Sequence, residues 1–171
     1  MVVGMQKKIL SILDLYYGDV AMPKGFEINR PKLQEDILKS SIHNKSFPFS
    51  RTQDMLMTYL REHIAIKYNF NLVPKKTWGH FYKDDQISTP LRNIDPVDLR
   101  NSPDYTCLYG VNVDQCKVRI YYDDNRRKGR SWDVELKNNM FIMFPSTLLY
   151  CISNKQKEKL NFILTTTYEY I

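Results

Sequence analysis

The stretch LNFILTTTYEY, residues 160–170, decides the fold class of this chain. Side chains that favour strands occupy every second position from Leu160 to Tyr170. Successive side chains of a β-strand point to opposite faces, so alternate positions share one packed face. The same period of two recurs in Val118, Ile120 and Tyr122. Further short strands are predicted at 78–83, 105–113, 132–136, 140–144 and 148–152.

Turn-forming residues separate these strands. The breaks are rich in Asp, Asn, Pro and Ser, which favour tight turns, and lie at 123–125, 137–139, 145–146 and 153–154. Several short strands without intervening helices indicate an antiparallel sandwich or barrel of the jelly-roll, cupin-like kind. The chain is therefore predicted to be mainly β with flanking helices. We expect a single domain over 1–171, with a helical front at 1–72 and a β-sandwich core at 73–171.

A first helix is predicted near the start of the chain. Apolar side chains in residues 9–17 recur at helical spacing, and Gly18 follows them. Lys7 and Lys8 before an apolar stretch resemble the start of a signal peptide. Asp14 interrupts that stretch, however, and no small-residue cleavage site follows. We therefore interpret the segment as an amphipathic helix.

Two more helices are predicted before the strands. The second begins near Asn29, has a proline in its first turn, and fades by His43. In the third, Ser50 and Gln53 form a capping-box pattern, and apolar residues then recur at helical spacing as far as Asn69. These helices are expected to form a layer on one face of the β core.

Composition excludes several classes of protein. The hydrophobic fraction is 43% and the charged fraction 26%, which is typical of a globular chain. No apolar run is long enough to cross a bilayer, so no membrane partner is expected. The six glycines form no phosphate-binding or dinucleotide fingerprint. Three cysteines without a C-x-x-C pair indicate reduced thiols and a cytoplasmic location.

A basic loop is the main candidate for partner contact. Arg126, Arg127, Lys128 and Arg130 lie close together between aromatic residues, in a chain of net charge +6. Such a loop suits nucleic acid or an acidic neighbouring protein. The alternative is a solvated hairpin tip, partly neutralised by the two preceding aspartates.

Four stretches together resemble a known family. They are WGHFYKDDQISTPLRN (78–93), LYGV (108–111), MFPSTLLY (143–150) and KLNFI (159–163). In this order they resemble the Fe(II)/2-oxoglutarate-dependent oxygenases, in the form common among tailed phages. The resemblance implies a double-stranded β-helix core with an N-terminal helical layer. It covers about residues 78–170.

The family's metal-binding pattern is altered in this chain. The resemblance places Leu91 and Asn93 at the first two ligand positions and Tyr150 at the distal histidine. A facial triad for Fe(II) needs two imidazoles and a carboxylate. The resemblance therefore implies a degenerate triad, so we expect no catalytic residue, no metal and no cofactor.

Lys159 lies where the family places the arginine that holds the 2-oxoglutarate carboxylate. A lysine can hold a carboxylate as a point charge, but without the bidentate fork of arginine. Lys159 is thus the single cofactor-binding candidate, and its alternative is a surface lysine in a basic turn. A displaced triad would have to use two of His43, His63 and His80.

The leading hypothesis is a non-catalytic oxygenase-like scaffold that serves as a structural or protein-interaction component. The resemblance places it in a tailed-phage virion or its assembly, with other protein subunits as partners, in the host cytoplasm or the virion. One alternative is an Fe(II)/2-oxoglutarate-dependent dioxygenase with displaced ligands around His80. The other is a basic nucleic-acid-binding module.

Overall fold

A computed structural model describes residues 7–9, 12–123 and 129–171. The described chain is mainly β with flanking helices, as predicted. Its strands form two antiparallel sheets, and it has two α-helices where the sequence predicted three. A short 3₁₀ turn lies at Leu99–Asn101. The elements are β1 (Tyr16–Asp19), α1 (Arg30–Ile42), α2 (Arg51–Tyr68), β2 (Leu72–Tyr82), β3 (Tyr105–Asn112), β4 (Cys116–Asp123), β5 (Arg130–Leu136), β6 (Met140–Pro145), β7 (Leu149–Asn154) and β8 (Asn161–Tyr170).

The larger sheet has the strand order β1-β6-β3-β8-β2, and the smaller sheet has the order β5-β4-β7. A segment at 86–91 extends the smaller sheet beyond β7. There Leu91 and Tyr150 exchange two backbone hydrogen bonds, of 2.8 and 3.0 Å, and the backbone N–H of Ser88 donates to Ile152 at 2.8 Å. This pairing holds the loop that follows Leu91 against β7.

Two apolar layers form the core. One lies between the helices and the larger sheet, where Leu33 and Ile37 of α1 and Leu60 of α2 are buried. The other lies between the two sheets, around Leu108 and Ile142. β8 contributes to both layers, because alternate side chains face opposite sides of a strand. Covered on both faces, it is buried from Asn161 to Tyr168.

The second and third predicted helices are confirmed as α1 and α2. The Asn29 side chain accepts a hydrogen bond from the backbone N–H of Lys32 at 3.1 Å, and that of Ser50 accepts from Gln53 at 3.3 Å. These caps satisfy N–H groups that the first helical turn leaves without partners. α2 ends at Tyr68, and the next residue, Asn69, adopts a left-handed conformation with φ 56°. Neither helix has the length and apolar character that a membrane crossing requires.

The predicted first helix is wrong. Residues 16–19 form β1 instead, pairing with β6, and the described residues before it are not helical. Pairing satisfies the backbone of the edge of β6, which a helix at this place would leave exposed. Helical spacing of apolar side chains cannot reveal such a distant partner, because the pattern records only local periodicity.

The predicted start of the strand at 78–83 is also wrong. β2 begins at Leu72 instead of near Trp78, and its pairing with β8 shifts register between Pro74 and Lys76. Proline lacks the N–H that a ladder needs, so it is confined mainly to edge strands and bulges. β2 is an edge strand of the larger sheet, and it therefore accommodates Pro74.

The helical layer sits directly on β2 at Gly79. A Cβ atom added at this residue would lie 2.2 Å from Cγ1 of Ile37 and 3.0 Å from its Cβ. The Ile37 side chain is fully buried and branches next to its backbone, so it has little room to yield. The absence of a side chain at position 79 thus sets how closely α1 approaches the sheet.

Gly79→Ala is expected to lower the free energy of unfolding by about 1–3 kcal/mol, the usual cost of overpacking a core. Gly18→Ala is the matched control, because its added Cβ meets only the Phe141 ring, at 3.9 Å. That variant should change stability by less than about 0.5 kcal/mol. Urea denaturation measures both. Equal stabilities of the two variants would contradict the close seat of α1 on β2.

Candidate functional site

The structure brings Leu91, Asn93 and Tyr150 together. Leu91 pairs with Tyr150 through the backbone, and Asn93 Nδ2 donates a hydrogen bond to Tyr150 Oη at 3.0 Å. Tyr150 is buried, with 3% of its surface exposed. Its ring meets that of Phe144 edge-on, at 5.0 Å between centroids. The pairing of the 86–91 segment with β7 thus brings Leu91 and Asn93 beside Tyr150, although they are more than fifty residues apart in the sequence.

Two hydroxyl groups complete this group of side chains. Asn93 Nδ2 also donates to Thr106 Oγ1 at 3.1 Å, and Thr106 Oγ1 lies 2.8 Å from Ser146 Oγ. Thr106 and Ser146 are almost completely buried. We call Leu91, Asn93, Thr106, Ser146 and Tyr150 the Asn93 cluster.

Sequence reasoning did not assign Thr106 or Ser146 to the site. Ser146 lies inside the MFPSTLLY stretch, but the family resemblance gives it no role. Thr106 carries no local signal, because its contacts come from β6 and from the loop at Asn93.

The Asn93 cluster is electrically neutral. It holds an amide, two aliphatic hydroxyls, an isobutyl group and a phenol. Burial raises the pKa of Tyr150, an effect that the hydrogen bond from Asn93 partly offsets. The phenol therefore keeps its proton at neutral pH and is not a phenolate ligand. This donor set does not fit Fe(II), which the fold family binds with two imidazoles and a carboxylate.

The three histidines of the chain lie on separate elements. His43 follows the last turn of α1, His63 stacks on Tyr59 of α2 at 5.4 Å, and His80 lies on β2. Partial burial lowers the pKa of His80, and its ring lies 6.4 Å from that of Tyr82. Within the described part of the chain, no group of three His, Cys, Asp or Glu residues is placed to hold a metal ion.

Lys159 lies outside the Asn93 cluster. It is exposed in the turn before β8, where its carbonyl accepts a hydrogen bond from Asn154 Nδ2 at 3.3 Å. Asn154 is four residues along β7 from Tyr150, or about 13 Å at strand spacing. On β8 the residue that pairs with Thr106 is Thr167, whereas Lys159 precedes that strand. The assignment of Lys159 to a carboxylate stays a prediction.

Most of the basic loop lies outside the described residues. Arg126, Arg127 and Lys128 belong to this part of the chain. Arg130 is described and begins β5. The predicted contact of this loop with a protein or nucleic acid therefore stays a prediction.

No protein-family model and no curated protein matches this chain. Solved structures match it in fold. A prolyl-4-hydroxylase from Pseudomonas putida has a TM-score of 0.65 at 13% identity, over 91% of this chain and 87% of that one. AviO1 from Streptomyces viridochromogenes Tue57 has a TM-score of 0.62 at 12% identity, over 91% and 89%. The non-heme α-ketoglutarate-dependent epimerase SnoN from nogalamycin biosynthesis has 0.63 at 9%, over 90% and 76%.

These structures confirm the double-stranded β-helix fold of the 2-oxoglutarate/Fe(II) oxygenases. They also correct the expectation that no cofactor is involved. SnoN is α-ketoglutarate-dependent, and one of its structures contains Fe³⁺ and α-ketoglutarate. The likeness of this chain is thus to a fold of which one solved example holds iron and α-ketoglutarate. The expectation failed because it was taken from three side chains alone, without the fold of the whole chain.

Tyr150→Phe is expected to lower the free energy of unfolding by about 1 kcal/mol at pH 8, because Asn93 loses one hydrogen-bond partner. It should also change the pH dependence. The raised pKa of Tyr150 means that the folded protein keeps a proton that the unfolded chain loses near pH 10, so stability falls as the pH rises above that value. Without Tyr150 this fall should be shallower, by up to about 1.4 kcal/mol per pH unit.

Urea denaturation from pH 8 to 11 tests this expectation. Tyr122→Phe is the control for loss of a tyrosine hydroxyl, because Tyr122 is 46% exposed and should leave stability at pH 8 unchanged. Parallel stability curves for Tyr150→Phe and the unaltered protein would contradict the buried, protonated state of Tyr150.

Proposed function

We propose that this chain uses the oxygenase-like fold without catalysis, as a structural or protein-interaction component of a larger assembly. The observation that carries the proposal is the Asn93 cluster. The positions that the sequence resemblance assigns to metal ligands hold Leu91, Asn93 and Tyr150. These residues contact one another through hydrogen bonds between neutral groups.

The hydrogen bonding of Asn93 supports a packing role for the cluster. Its side-chain nitrogen has two hydrogens, and it donates to Tyr150 Oη and to Thr106 Oγ1. A buried polar group without a partner costs about 1–3 kcal/mol, so each member stabilises the folded state by satisfying another. Such a cluster joins the 86–91 segment to β3, β6 and β7, and it offers no nucleophile or ionised base to a substrate.

The surface supports an interaction role. Large apolar side chains are exposed along the segment before β1 and around α2, including Ile12 at 75% and Ile66 at 86%. Where such side chains form one contiguous patch, the patch marks an interaction site. A tailed-phage virion or its assembly, and the host cytoplasm, are the context that the sequence resemblance implies, and they form part of the proposal.

The competing function is Fe(II)/2-oxoglutarate-dependent oxidation, which the likeness in fold favours. It would require ligands away from the Asn93 cluster. His80 is the histidine that shares a strand with Tyr82, a residue of the core between the sheets. Turnover of 2-oxoglutarate separates the two functions, because it needs no knowledge of the oxidised substrate.

The unaltered protein is expected to form no Fe(II)-dependent succinate from 2-oxoglutarate above a metal-free control. Succinate is measured by mass spectrometry after anaerobic loading with Fe(II) and admission of oxygen. Fe(II)-dependent succinate would overturn the proposal, and repeating the assay with His80→Ala would show whether the chemistry uses that residue.

A restored triad tests the assignment of the three positions. Leu91→His, Asn93→Asp and Tyr150→His together should make Mn(II) raise the melting temperature, because a ligand at a hundred times its Kd stabilises by about 2.7 kcal/mol. The control is the same triple substitution to alanine, which supplies no ligand. A restored variant that is folded by circular dichroism, yet responds to Mn(II) no more than the alanine control, would contradict the assignment.

A further inference from the structure

A groove runs along the helical layer beside α2. It is formed by α2 and the segment 21–26, and its volume is about 480 Å³. Apolar side chains dominate its walls, among them Met22, Met55 and Tyr59. At its edges Phe26 is 50% exposed and Ile66 is 86% exposed. The groove is thus an apolar surface that the described chain leaves uncovered.

The charge of the groove differs from that of the whole chain. The net charge of the chain is +6, whereas the carboxylates Asp54 and Glu62 lie among the residues that line the groove. They are eight residues apart on α2, which is about 12 Å along the helix axis. The groove therefore fits an apolar segment that carries positive charge.

The described residues ahead of β1 have this chemistry. Lys7 and Lys8 are exposed and are followed by apolar residues that are also exposed, namely Ile9 at 68%, Ile12 at 75% and Leu13 at 48%. We call these five residues the arm. Their apolar side chains gain free energy when they are covered, at about 25 cal/mol per Å² of buried surface. The described residues of this segment form no helix, although their apolar side chains have helical spacing in the sequence.

In the described chain the arm does not cover the groove of its own chain, since Ile9, Ile12 and Leu13 are all exposed. Leu15 packs against the core between the two sheets, and Tyr17 lies against Trp132 of β5 at 5.3 Å. Tyr16, which lies between them, contacts Tyr68 at the end of α2, with 4.5 Å between the ring centroids.

The geometry points to an exchange of arms between two copies of this chain. The arm of one copy seats in the α2 groove of the second, with its apolar side chains against Met55 and Tyr59 and its lysines near Asp54 and Glu62. This inference deepens the proposed function, because it names a second copy as a partner. It is independent of the succinate assay, so the failure of either is distinguishable from the failure of the other.

Sedimentation velocity of the full chain at 50 mM salt tests the exchange. The unaltered protein is expected to form dimers in a concentration-dependent way. Ile12→Ser with Leu13→Ser should raise the dimer Kd at least tenfold while leaving the monomer folded, because both side chains are exposed in the single chain. A monomer at all concentrations, or a Kd unchanged by this variant, would overturn the inference.

Charge exchange gives the sharper test. Asp54→Lys with Glu62→Lys, and separately Lys7→Glu with Lys8→Glu, should each weaken self-association at least tenfold by opposing like charges. Mixing the two variants should restore dimers, because each arm then meets a groove of opposite charge. Asp84→Lys with Glu135→Lys makes the same change in net charge at exposed sites outside the groove lining and should leave the Kd within threefold. A mixture that stays monomeric would overturn the arm as the occupant.

Discussion

The structure depends on the burial of β8 on both of its faces. β8 is hydrogen-bonded to β2 on one side and β3 on the other, so its backbone is paired along both edges. A strand in this position needs a helical layer over one face and a second sheet over the other, or its apolar side chains stay in water. Phe162 and Leu164 belong to the helix-side core, and Ile163 belongs to the core between the sheets. The position of α1 and the depth of the sandwich both follow from this requirement.

The Asn93 cluster arises from the same arrangement. Thr106 lies on β3, whose neighbours β6 and β8 place Phe144 and Thr167 beside it. Thr106, Ser146 and Tyr150 are buried there, and a buried site tolerates polar atoms only where they have hydrogen-bond partners. Asn93 reaches this space because Leu91 is bonded to Tyr150 through the backbone. The hydrogen bonds of the cluster are thus a condition for closing the sandwich at this end.

Sequence patterns predicted the parts of the fold that local chemistry controls. The caps at Asn29 and Ser50 are short-range interactions, and both helices were found. β1 was missed because its partner, β6, lies more than a hundred residues away in sequence. The three residues of the site came from the resemblance to a family, which fixes distant positions together. Thr106 has no such pattern, because its role depends on contacts that form only after three strands have paired.

The likeness to solved structures concerns the arrangement of strands and helices, whereas catalysis depends on a few side chains inside the fold. At 9 to 13% identity the strands and helices coincide, because apolar side chains of similar volume satisfy the same packing. A metal centre has no such tolerance, since a single neutral side chain removes a ligand. The Asn93 cluster lies between the sheets, and the α2 groove lies on the helical layer. The large sheet separates them, so a substitution at one of these places changes no contact at the other.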